Sequence, residues 1–177
     1  MTSIALVVAL AGCSKEQDGE ERNYATPNSL CGVAVKSILI SPFLPPGDHV
    51  STKRTFPDGG TEQCTLTVDR ANVTVIAKQK WWPEKDSVLD VAPSSVWRKS
   101  RHTVEGDNFL YSGIGAVGKT KDCADPTHPD QSLFTIIQSF TPDREDARTM
   151  QKLIKAYTKE VEQSKACHPK RPEPSKS

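Results

Sequence analysis

The sequence predicts an α+β domain: an antiparallel β-sheet packed by an N-terminal helix and a long C-terminal helix, and stapled by disulfides. Three observations lead there. Residues Cys64 to Lys78 alternate about a polar break, and Leu133-Phe134-Thr135-Ile136-Ile137 is an apolar run of strand length. Ala147, Met150, Leu153, Ile154, Tyr157 and Val161 step by three or four along a segment long enough for a helix. Cys31, Cys64, Cys123 and Cys167 form an even set, as expected of paired thiols.

Taken in order, Thr26-Pro27-Asn28-Ser29 has the cap-then-proline arrangement of a helix start. Leu30, Val33, Ala34 and Ile38 then recur at helical spacing. A helix of about four turns is expected to end at Pro42, followed by a turn at Pro45-Pro46-Gly47. Cys64, Leu66 and Val68 on one run and Val73, Val75 and Ala77 on the next flank Asp69-Arg70-Ala71-Asn72, which reads as a β-hairpin. Further strands are expected at His102 to Val104, Asn108 to Ser112 and Ser132 to Phe140, the last being the most apolar and so the central one. Thr141-Pro142-Asp143 repeats the cap-then-proline device, so the long helix should run from Pro142 to about Ser164. The tail from His168 to Ser177 is proline-rich and basic and is expected to be disordered.

The chain has 177 residues and a formal net charge of +1, so it carries no cationic excess with which to neutralise a phosphate backbone. A general nucleic-acid binder is excluded on that ground. The one unbroken apolar stretch, Ile4 to Gly12, falls short of the roughly 20 residues a membrane-spanning helix needs, which excludes a polytopic membrane protein. It has instead the length of a signal-peptide core and is followed by small residues. Leu10-Ala11-Gly12-Cys13 resembles the lipobox of bacterial lipoproteins, which implies that Cys13 receives a diacylglycerol and becomes the mature amino terminus. Two acyl chains give stable anchoring where one is marginal. The resulting division is a signal peptide at 1–12, a lipidated cysteine and flexible tether at 13–25, one domain at 26–167 and the tail at 168–177.

With Cys13 assigned to lipid, the four remaining cysteines would sit in an oxidising compartment, where two disulfides follow. Three pairings are possible; locality favours Cys31 with Cys64 and Cys123 with Cys167. A metal site is the alternative use of Cys123, Cys167, His128 and His168, but no C-x-x-C or H-x-x-x-H spacing supports one, so no metal or other cofactor is assigned. The order of features is also similar to a broad group of secreted actinobacterial lipoproteins of unknown function. The residues that carry this likeness are Cys13, Leu30-Cys31, Gln63-Cys64-Thr65-Leu66 and Leu133 to Phe140 before Thr141-Pro142. The likeness implies no activity.

Gly113-Ile114-Gly115-Ala116-Val117-Gly118-Lys119-Thr120 satisfies the P-loop pattern letter for letter. The pattern needs a helix after the threonine to present its amides to a phosphate. Pro126 and Pro129 forbid a long one, so a glycine-rich strand end or turn is expected instead. Ser94, Ser95 and Ser112 lack the G-x-S-x-G setting of a nucleophile elbow, and the four histidines show no partner pattern, so no catalytic residue is assigned. Trp81, Trp82 and Trp97 are the candidate ligand-binding residues, since exposed aromatic faces stack on ligands; a core role for one of the adjacent pair is the competing reading. The function expected is that of a lipid-anchored extracytoplasmic binding or structural module at the cell envelope, with the membrane as partner through Cys13. The alternatives are an envelope hydrolase with an unrecognised site and a P-loop nucleotide binder.

Overall fold

In the computed structural model, which describes residues 22–69, 73–99 and 104–168, the chain after Asn28 turns back on itself instead of coiling. Strands β1 (Ser29–Leu30) and β2 (Val33–Ala34) pair antiparallel through a two-residue turn. Both turn residues, Cys31 (φ +54°) and Gly32 (φ +78°), are left-handed, as a primed hairpin turn requires. Only one helical turn, α1 (Ser37–Ile40), and a 3-10 turn at Ser41–Phe43 survive of the expected four-turn helix. The helical spacing of Leu30, Val33 and Ala34 was therefore coincidental. Leu30, Val33, Val35, Ile40, Phe43 and Leu44 reach the core from a folded-back segment, while Ile38 lies 73% exposed.

A seven-stranded antiparallel sheet follows. Its strands are β3 (Val50–Asp58), β4 (Thr61–Val68), β5 (Val73–Pro83), β6 (Val104–Glu105), β7 (Phe109–Tyr111), β8 (Gly115–Lys119) and β9 (Gln131–Ser139). The spatial order is β3-β4-β5-β9-β8-β7-β6, which puts the most apolar strand, β9, at the centre as expected. The predicted hairpin is β4 with β5, in the register Cys64 opposite Ala77 and Leu66 opposite Val75. Residues 70–72 of its turn, His102 and Thr103 lie outside the described residues.

Two short helices, α2 (Val88–Val91) and α3 (Ser94–Lys99), join β5 to β6, and α4 (Ala147–Glu162) closes the chain. Met150, Leu153, Ile154, Tyr157 and Val161 of α4 are buried on one sheet face with Cys64, Leu66, Ala77, Leu133 and Ile137. On the other face Val88 and Val96 pack with Leu110, Val117, Phe134 and Ile136. Helix α4 begins later than its cap-then-proline signal predicts, because Asp143 takes φ +56° and breaks the helical path. Asp146 is the true cap, its Oδ1 accepting from the Thr149 N–H at 2.9 Å.

The amino-terminal boundary also shifts. Arg22, assigned to the tether by sequence, donates from its guanidinium to Ser41 Oγ (2.6 Å) and to the Leu44 carbonyl (2.6 Å). Asn23 N donates to the Gly47 carbonyl at 2.8 Å. The chain is thus tied down from Arg22 onward. No helix among the described residues is long and apolar enough to cross a membrane.

Candidate functional site

Within the P-loop pattern Gly115–Lys119 folds as β8, and the glycines of that strand serve packing. A Cβ on Gly115 would meet Val96 of α3 at 2.6 Å and the Ile137 carbonyl at 2.8 Å. A Cβ on Gly118 would meet Thr158 Oγ1 of α4 at 2.3 Å. The two glycines let helices approach the strand closely from its two sides. No helix follows Thr120, and Lys119 Nζ donates to the carbonyl of Asp86 at 3.2 Å. The nucleotide-binding arrangement is therefore not built.

One of the two expected disulfides is present. Cys123 and Cys167, 44 residues apart, are bonded, and the Ala124 N–H donates to the Cys167 carbonyl at 3.2 Å. Cys31 and Cys64 stand as separate buried thiols, so the second predicted bridge is absent here. They are nevertheless neighbours, since the Cys31 N–H donates to Cys64 Sγ at 3.0 Å. Burial pushes the Cys64 thiol up to about 11.

The bridge fastens the segment after α4 to the loop between β8 and β9, and that loop presents His128. Asp125-Pro126-Thr127 forms an Asx turn, with Asp125 Oδ1 accepting from Thr127 N (2.9 Å) and Thr127 Oγ1 (2.8 Å). Asp125 Oδ2 lies 3.0 Å from His128 Nδ1. Burial opposes ionisation of Asp125, but the Thr127 amide and the His128 ring outweigh it and hold the carboxyl below its ordinary range. An ionised Asp125 can only accept, so Nδ1 carries a proton. Thr127 Oγ1 also lies beside Nδ1, at 3.0 Å. Acid and hydroxyl therefore share one ring nitrogen, which is not the acid–base–nucleophile relay of a hydrolase.

Trp81 stacks on His128 with ring centroids 5.2 Å apart and planes 8° from parallel. Gly60, at φ +94°, accepts the Trp81 N–H on its carbonyl at 2.9 Å. A Cβ there would lie 2.9 Å from His128 Nε2, so only glycine lets the β3–β4 turn close on the imidazole. Next to this stack lies a cavity of about 220 Å³, with Phe56, Thr61, Gln79 and Trp81 among its walls. Thr61 and Gln79 are each only 5% exposed. Thr61 Oγ1 and Gln79 Oε1 have no hydrogen-bond partner, although Gln79 Nε2 donates to the Tyr157 hydroxyl at 3.3 Å. A polar cavity of about 740 Å³ adjoins at Asp125 and His128, and one of about 320 Å³ continues past Gln79 to Gly32 and Arg54.

The predicted tryptophans do not form one site. Trp81 lines the cavity, whereas Trp82, its neighbour on β5, packs against the opposite core with Lys80 Nζ 4.2 Å from its ring centroid. Alternation along the strand separates them. Trp97 belongs to α3, and its side chain lies outside the described residues, as does Cys13. His128, Thr61 and Gln79 escaped sequence reasoning; the Asp-Pro-Thr turn signal before His128 was the one available pointer. Among the described residues no group of three or more His, Cys, Asp or Glu side chains is arranged to hold a metal ion. No known protein family, curated protein or solved structure matches this chain.

Proposed function

We propose that the protein is a lipid-anchored, extracytoplasmic binding module of the cell envelope, related to the secreted lipoproteins its residue pattern resembles, and that its ligand enters the cleft beside Trp81 and His128. The observation that carries this reading is the Cys123–Cys167 disulfide, since such bonds persist in oxidising compartments. The Leu10-Ala11-Gly12-Cys13 lipobox supplies the route out of the cytoplasm. The nine residue steps from Cys13 to Arg22 can span at most about 30 Å, so an acylated Cys13 would hold the domain close to the bilayer.

In the same reading Cys31 and Cys64 close a second bridge during export. Two thiols give up two protons and two electrons to the disulfide of an exported dithiol oxidant, which leaves reduced. The experiment is fractionation of cells expressing the wild type and Cys13→Ala. Wild type should partition with membranes carrying a diacylated Cys13, and the variant should be lost from them. A wild type that is soluble and unacylated would overturn the anchor.

A further inference from the structure

We infer that the cavity of about 740 Å³ beside the Cys123–Cys167 bridge is the docking site of this chain's own carboxyl-terminal segment, with Lys170 and Arg171 as the charges it takes. Both residues lie outside those described. His168, the last described residue, is itself part of the cavity wall. Its neighbour Cys167 is bonded to Cys123 of the same wall and accepts the Ala124 N–H on its carbonyl at 3.2 Å. The segment is therefore rooted on the rim by a covalent bond and a hydrogen bond. At no more than about 3.6 Å per residue, Lys170 lies within about 7 Å of His168 along the backbone and Arg171 within about 11 Å. So short a tether holds the two cations at an effective concentration on the order of millimolar or above. Pro169 and Pro172 bracket them and keep His168 and Arg171 extended, which lowers the entropy lost on docking.

Charge selects this occupant. The wall carries four carboxylates, Glu84, Asp122, Asp125 and Asp130, against the single cation Lys119. It stays net negative whether or not His128 and His168 are protonated. Lys119 Nζ is engaged by the backbone carbonyls of Glu84 and Asp86, and Glu84, Asp122 and Asp130 have no ion-pair partner among the described residues. The Glu84 N–H donates to the Asp130 carbonyl at 3.0 Å, which holds these two acids on adjoining strands of the wall. No three of the described acids, histidines and cysteines are arranged for a metal ion, so the uncompensated charge suits an organic cation. The ammonium of Lys170 and the guanidinium of Arg171 are such cations, already delivered to the rim. Asp125 and His128 also belong to the cleft beside Trp81, so the docked segment closes one side of that cleft. It acts as an internal competitor for any cationic ligand entering there, and its docking does not depend on acylation of Cys13.

The test compares the purified full chain, its bridge intact, with two double variants: Lys170→Gln, Arg171→Gln and Asp122→Asn, Asp130→Asn. The first changes none of the described residues. In the second, Asp122 (φ +56°) and Asp130 (φ +59°) sit at left-handed backbone that asparagine adopts readily, so charge is removed and the loop kept. Nitrogen-15 relaxation at low salt should find Lys170 and Arg171 of the wild type as ordered as the β8–β9 loop. Both variants should release them, and so should about 1 M sodium chloride, where screening acts within about 3 Å. Trilysine, added as an outside competitor and read by the amide shifts of Ala124 and Asp130, should bind the Lys170→Gln, Arg171→Gln variant about tenfold more tightly than the wild type. Free motion of residues 170 and 171 in the wild type, order that survives in both variants, or equal trilysine binding by wild type and tail variant would overturn the assignment.

Discussion

Removing the Cys123–Cys167 bridge by the double substitution Cys123→Ala, Cys167→Ala should lower stability mainly through the unfolded chain. The bridge closes a loop of 44 residues. In the chain-entropy treatment a loop of that length is worth about 4 kcal/mol, a large share of a typical domain's net stability. For a chain of this size roughly 2–4 °C of melting temperature accompanies each kcal/mol, so the midpoint should fall by about 8–16 °C. Urea unfolding followed by tryptophan fluorescence and far-ultraviolet circular dichroism, under non-reducing conditions, measures this directly. Because the released loop expands the unfolded ensemble, the denaturant slope should rise as the midpoint falls. A loss below about 1 kcal/mol with an unchanged slope would refute the loop argument, since neither signature of a released cross-link would be present.

Two further outcomes follow from packing and capping. Gly118→Ala should destabilise by about 1–3 kcal/mol through overpacking against Thr158 and Thr135, measured by urea unfolding; a neutral effect would contradict the close approach of α4 to β8. Asp146→Ala should cost about 1 kcal/mol by removing the cap of α4. Hydrogen bonding from Thr149 lowers the Asp146 carboxyl below its ordinary 3.8, so its contribution is fully present above that value and is lost as pH falls through the lower folded one. The stability difference between wild type and Asp146→Ala should therefore shrink on acidification, and a difference that stayed constant to strongly acid pH would contradict the assignment.

Elements whose side chains alternate or step regularly were legible before the structure. The β4–β5 hairpin, central β9 and the buried stripe of α4 all follow from spacing. Other elements left little pattern. Strand β3 is an exposed edge from Val50 to Asp58 with hardly a buried side chain, so it lacks an apolar face. In β8 glycines stand where apolar side chains would have marked the strand, and their spacing imitates a phosphate loop. The amino-terminal hairpin turns on Cys31 and Gly32, a pair without the asparagine or aspartate that usually precedes glycine in such turns. The site divides the same way. Trp81 was visible as an aromatic residue, but its partnership with His128 depends on Gly60 folding the β3–β4 turn across a loop 68 residues later, and no local pattern encodes that closure.

The central claim is that this chain matures in an oxidising space, held there by acyl chains on its first mature residue. Intact-mass analysis and non-reducing peptide mapping of protein purified from the membranes of its native source test it most directly. The account predicts a chain that begins at diacylated Cys13, with Cys31 linked to Cys64 and Cys123 to Cys167. An uncut leader together with four thiols open to alkylation after unfolding would contradict it.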